Sequence, residues 1–153
     1  NTLVVLAKIA AARTASGEHV FTTTCALWPA LDQYVSELSA VADLRVVAKF
    51  LFEIFKSRPA VAYNHISTAI AVMPLLSHLL SWPDDEVNTY TCLTVSSIAE
   101  RNYAHVQAVL DAGIVDRLIE LLSSTNYETL EAASSAGKYH QHILHLRTYK
   151  HDS

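Results

Sequence analysis

The sequence predicts an all-α fold, a solenoid of stacked three-helix units, on the strength of two observations. The first is the stretch Gln107 to Leu122, QAVLDAGIVDRLIELL, in which one short helix stops at a glycine and a second, amphipathic helix starts directly after it. Val106, Val109 and Leu110 share one face of the first helix, and Asp111-Ala112-Gly113 supplies its stop. Ile114, Leu118, Leu121 and Leu122 then recur at helical spacing, with Asp116 and Glu120 on the opposite, wet face. Each fully buried aliphatic side chain is worth about 1.5 to 3 kcal/mol, so the stripe outweighs helix propensity, but a lone helix pair gives it nothing to bury against. The second observation is that the phrase recurs. ALWPALDQYVSEL (Ala26 to Leu38) and IAVMPLLSHLL (Ile70 to Leu80) are its counterparts, and superposing Pro29, Pro74 and Asp116 gives steps of 45 and 42 residues.

Taken in order, Leu3 to Ala12 reads as the end of a third helix whose beginning is missing. The phrase at 26–38 follows, with Pro29 in the first turn of its helix, where a missing N–H is no loss. A polar link leads to a longer third helix, Leu44 to Lys56. Ser57 to Ser67, SRPAVAYNHIS, leaves room after Pro59 for only a reduced first helix. Pro74 again fits a first turn, and the third helix Asp85 to Glu100 follows Asp84, an N-cap. After the Gly113 pair comes a last third helix, Tyr127 to about Tyr139, and a tail that loses periodicity after Leu146. The expected division is a partial third helix at 1–12, repeats at 13–57, 58–101 and 102–146, and a loose tail at 147–153. The chain opens mid-pattern without an initiator methionine, which reads as a piece of something longer.

Composition narrows the function classes. The 153 residues carry 11 Lys and Arg against 15 Asp and Glu, a net charge of −4 that gives no basic footprint for nucleic acid or an anionic membrane. Ile66 to Trp82, the most apolar stretch, is broken by Ser67, Thr68, Pro74, Ser77 and His78, so no membrane span is expected. LVVLAKIAAA near the start differs from a signal-peptide core in having Lys8 at its middle. Cys25 and Cys92 sit far apart in apolar helical contexts and read as free thiols rather than a disulfide. With three glycines no phosphate-cradling loop can be assembled, and no nucleophile elbow, His-Glu-x-x-His or Cys-x-x-Cys phrase supports catalysis. His140, His142 and His145 have a metal-like spacing, but no Cys, Asp or Glu joins them, and incidental histidine is the simpler reading. Neither an enzyme, a cofactor nor a metal site is expected.

The run from Arg58 through Cys92, RPAVAYNHISTAIAVMPLLSHLLSWPDDEVNTYTC, together with VLDAGIVDRLIELL, resembles the armadillo repeats of importin-α (karyopherin-α), the adaptor family that carries nuclear localisation signals into the nucleus. The resemblance implies a right-handed armadillo superhelix of about three repeats with incomplete ends. It implies a protein-binding scaffold acting in protein transport, found in cytoplasm and nucleus, whose partners are proteins or peptides such as cargo bearing a nuclear localisation signal.

In that family the third helices carry a Trp and, one turn later, an Asn, which together hold the signal peptide. The matching positions here are Val4 with Lys8, Phe50 with Ile54, Leu93 with Ser97, and Ser134 with Lys138, so no repeat keeps the pair. Glu53 and Glu100 would supply acidic charge to the same groove, opposed by Lys8 and Lys138. Loss of Trp faces weakens stem packing and cation–π attraction, and loss of Asn removes the amide clamp. The groove is therefore either altered for another ligand or decayed into side chains that pack among themselves. Phe50, Phe52 and Phe55 lie in one helix, where an exposed Phe50 with Ile54 would anchor an apolar peptide, although core packing explains at least two of the three. Asp84-Asp85-Glu86 reads as helix capping or as an acidic groove. The alternative to a transport adaptor is a non-transport armadillo scaffold or a self-associating fragment, since uncapped solenoid ends predict homodimers.

Overall fold

The computed structural model describes residues 28–37, 40–57, 66–100 and 103–137. These form helices α1 (Trp28–Glu37), α2 (Val41–Ser57), α3 (Ile66–Leu80), α4 (Asp85–Ala99), α5 (Tyr103–Asp111), α6 (Val115–Leu121) and α7 (residues 127–137), with no strand among the described residues. Helix α1 packs on α3 and α2 on α4, while α3 also meets α4 and α5. Second helix α1 and third helix α2 thus each lie on a counterpart one unit further along the chain, as in an armadillo solenoid. Among the described residues no helix is long and apolar enough to cross a membrane.

One continuous core runs through this stack. Leu44, Leu51 and Phe55 of α2 share it with Leu75, Leu76, Leu79 and Leu80 of α3, Val95 and Ile98 of α4, Ile114 just before α6 and Leu118 within it. Ala132, Ala133 and Ala136 extend it into α7. Val106 and Ala99 form a small second cluster backed by Leu110, so the predicted face of α5 is buried as its spacing requires. Trp82, in the α3–α4 link, packs against the main core. The predicted stripe of α6 is buried at Ile114, Leu118 and Leu121 but not at Leu122, which is 43% exposed because it lies past the last helical turn.

The third helices start where capping chemistry places them. Asp84, with extended backbone, accepts from the Val87 N–H at 3.0 Å. Asn126 repeats the device at α7, accepting from the Thr129 N–H at 3.1 Å, 42 residues further on. Within α4 the buried hydroxyls are met locally, Thr91 donating to the Val87 carbonyl at 2.7 Å and Thr94 to that of Tyr90 at 2.9 Å. Arg117 ties α6 to the preceding unit by donating from Nε to the Leu80 carbonyl at the end of α3.

Two helix junctions bear on the sequence reading. Gly113 adopts φ +73 and its N–H donates to the Leu110 carbonyl at 3.1 Å, so α5 ends where the glycine predicted it. Pro74 does not begin a helix. It lies inside α3, which runs unbroken from Ile66 to Leu80. The expected first-turn proline is therefore corrected. No glycine precedes Pro74 to allow a left-handed stop, and Val72, Leu75, Leu76 and Leu79 form one buried stripe that carries the helix across it. Cys92 is a free, buried thiol, which burial pushes up to about 12. Leu3 to Ala12, Cys25, Pro59 and the histidine-bearing tail lie outside the described residues.

Candidate peptide groove

The candidate site lies across α2, α4 and α7, the row of third helices. Their alignment is held by lateral polar contacts at sequence separations of 39 and 40 residues. Arg45 on α2 reaches Asp84 with both arms of its guanidinium, Nη2 to Oδ1 at 2.8 Å and Nε to Oδ2 at 3.2 Å. Its Nε is also 3.3 Å from Glu86 Oε2. Between α4 and α7 the Thr89 and Thr129 hydroxyls meet at 2.8 Å, and those of Ser96 and Ser135 at 3.1 Å. These hydroxyl pairs join α4 to α7, the second of them beside Ser97 and Ser134, the positions that the importin-like resemblance assigns to peptide contact.

Two depressions open on this row. The larger, about 660 Å³, runs from Arg45 across Pro83, Asp84, Asp85, Glu86, Thr89, Tyr90 and Leu93 to Asn126 and Glu128. The smaller, about 360 Å³, lies between Thr89 and Leu93 of α4 and Glu128, Glu131, Ala132 and Ser135 of α7. Tyr90 is steadied by Phe52 of α2, the ring centroids 5.8 Å apart. The lining is strongly acidic, with Arg45 the only Lys or Arg among the lining residues described. The Arg45 guanidinium bonded to Asp84 holds that carboxyl below the usual carboxylate range, with help from the Val87 N–H.

The structure places the expected site residues unevenly. Leu93 lines both depressions. Ser97, on the next turn of α4, is half-buried and lines neither, and Glu100 is exposed at the C-cap of that helix. Phe50 is half-buried against the core, Phe55 is fully buried, and Glu53 is half-buried on α2. Core packing thus accounts for two of the three phenylalanines, and the third, Phe52, meets Tyr90. Ser134 is exposed outside both depressions, whereas its neighbour Ser135 lines one. Val4, Lys8, Lys138 and the side chain of Ile54 lie outside what is described. Arg45, Thr89, Tyr90, Glu128 and Glu131 were not singled out from the sequence. The caps carry the missing signal: aligning Asp84 with Asn126 makes Ser135 the counterpart of Leu93 and Glu131 that of Thr89.

A further depression of about 620 Å³ lies between α3 and α5, with Ile70, Met73 and Pro74 facing Ala104, Ala108 and Ala112. Among the described residues no cluster of His, Cys, Asp and Glu is arranged to hold a metal ion.

Comparison with known proteins agrees with this geometry. A family model described as Armadillo/beta-catenin-like repeat matches residues 102–136. The chain is 30% identical over 105 residues to importin subunit alpha-3 of Arabidopsis thaliana, covering 69% of this chain and 19% of that protein. Over 97 residues it is 32% identical to importin subunit alpha-4 of Arabidopsis thaliana, covering 63% of this chain and 17% of that protein. Over 97 residues it is also 31% identical to importin subunit alpha-1a of Oryza sativa subsp. japonica, covering 63% and 18% respectively. The chain thus spans about a fifth of the length of these relatives. Repeat geometry and similarity together make it an armadillo-repeat scaffold, a divergent or partial relative of the importin-α subunits.

Proposed function

We propose that this scaffold is of importin-α type, a nuclear import adaptor module or a divergent derivative of one, acting between cytoplasm and nucleus without enzymatic activity. Its ligand is an extended basic segment of a partner protein, of the nuclear-localisation-signal kind, lying across α2, α4 and α7. The observation that carries this reading is the lining of the two depressions. Asp84, Asp85, Glu86, Glu128 and Glu131 supply negative charge around the apolar walls Tyr90 and Leu93, which suits a lysine or arginine with its aliphatic stem on the wall and its head among carboxylates. The repeats that frame the groove are proposed to run over 13–57, 58–101 and 102–146.

Binding is expected to be weak. Leu93 offers no aromatic face and Ser97 no amide, so affinity for a lysine-rich peptide falls at least about tenfold below that of a groove with Trp and Asn in place, a deficit of about 1.4 kcal/mol or more. Calorimetric titration of the parent and of a Phe50→Trp, Ile54→Asn, Leu93→Trp, Ser97→Asn variant with one such peptide tests this. A gain in the variant is the expected result. Tight binding by the parent would contradict the weakened groove, and no binding by either would remove the groove reading.

The apolar depression beside Ile70, a residue 55% exposed, favours a second reading, a self-associating or non-transport scaffold. Under that reading the chain dimerises at micromolar concentration and Ile70→Glu returns it to monomer, as measured by sedimentation.

A further inference from the structure

The larger depression already contains a cation of the protein's own. Arg45 enters it from α2, sets Nη2 at 2.8 Å and Nε at 3.2 Å from the two carboxylate oxygens of Asp84, and brings Nε within 3.3 Å of Glu86. A planar guanidinium on a carboxylate in this forked manner makes the same contacts that an arginine of an incoming peptide would seek there, and occupies the charge that a lysine would seek. Asp84 is doubly engaged, since it also accepts from the Val87 N–H as the N-cap of α4. On the α7 side no ion pair engages Glu128 or Glu131 among the described residues, and both line the groove.

We propose that Arg45 is an intramolecular competitor of the basic ligand: it occupies the Asp84–Glu86 end of the groove, lowers affinity for basic peptides, and directs a ligand's cation to the Glu128–Glu131 end. This rests on the groove reading above and adds to it a residue that sets affinity and register. The Arg45 side chain is 46% exposed, so its hold is of the weak, water-accessible kind and can be displaced rather than acting as a permanent block. A purely structural role, stapling α2 to α4, is the competing account. The two differ in what happens to Arg45 when peptide binds: a staple stays on Asp84, whereas a competitor leaves it.

The test is peptide titration of the intact chain and of Arg45→Gln and Arg45→Lys variants, each also in the Leu93→Trp, Ser97→Asn background, with circular dichroism to establish that each is folded. Arg45→Gln is expected to bind a lysine-rich peptide about two- to fivefold more tightly, with a steeper fall of affinity as salt rises, because a more negative groove leans harder on screened charge. Arg45→Lys, which keeps the charge but loses the fork, should gain less. In the unmodified protein the Arg45 Nε–H resonance should move on saturation with peptide. Equal or weaker binding by Arg45→Gln while the parent binds, or an unmoved Arg45 resonance at saturation, overturns the competitor and leaves the groove standing. Failure of every variant to bind removes the groove reading and this inference with it.

Discussion

At the Gly113 corner and at Pro74 the same stage of the repeat is built in two ways. Gly113 takes φ +73, ends α5 and lets α6 start in a new direction, so the two short helices bury separate faces. At the corresponding place before Pro74 there is no glycine, and α3 runs on from Ile66 to Leu80. Pro74 has no N–H for the Ile70 carbonyl, but both residues are exposed, where water can meet that carbonyl, while Val72, Leu75, Leu76 and Leu79 stay in the core. A residue able to enter the left-handed region is what turns this chain; a proline over a continuous apolar stripe does not. The consequence reaches the surface, because the unbroken α3 leaves Ile70 and Pro74 beside Ala104 and Ala108 of α5 in an open apolar depression.

The largest expected effect tests whether the two regions share one core. Leu118→Asp near the Gly113 corner and Leu79→Asp in the unbroken helix each bury a carboxylate among aliphatic neighbours and should cost more than about 4 kcal/mol. Because the units lean on each other, either change should expose Cys92 of α4 to alkylation in native buffer, whereas in the parent its buried thiol resists. Protection of Cys92 alongside an unfolded α6 would mean that the units are independent.

Next in size is Pro74→Ala, which restores the missing helix bond and should stabilise the chain by about 1 to 3 kcal/mol in denaturant titration. An unchanged midpoint would put Pro74 at a helix start and dissolve the contrast. Gly113→Ala should act in the opposite direction, by about 1 kcal/mol. No atom lies within 4 Å of the added Cβ, so the cost is one of backbone conformation, and Gly113→Asn should lose less.

An effect no larger than that of Gly113→Ala concerns the α4 cap. Asp84→Ala should cost about 1 kcal/mol. The folded-state pKa of Asp84 is lowered, first by Arg45, so its contribution is complete above the ordinary carboxylate value and is lost as pH falls through the lower folded value. The parent should therefore lose more stability on acidification than Asp84→Asn does, as read by thermal melts across that range.

Helix type, the Gly113 stop, the Asp84 cap and the buried stripe of α6 were legible because each depends on residues within one or two turns of one another. Pro74 was misplaced because matching it to Pro29 gave weight to a proline's preference for first turns and too little to the uninterrupted burial pattern around it. Leu122 fits the stripe by spacing yet is exposed, since the helix ends one residue earlier. In the groove, Leu93 was found through the importin-α resemblance, which puts it where that family carries a Trp. Arg45, Glu128 and Glu131 were not, because their meeting with α4 depends on how units stack across 39 to 44 residues of sequence, and no short-range pattern encodes that. The Asn126 cap would have aligned α7 with α4 and pointed to Ser135 in place of Ser134.

The groove across the third helices is tested most directly by a two-dimensional NMR titration of the intact chain with a lysine-rich peptide. The account predicts that resonances of Thr89, Leu93, Glu128 and Glu131 shift together while those of Ile70, Met73, Ala104 and Ala108 stay in place. Shifts confined to the α3–α5 side, with α4 and α7 unmoved, would contradict it.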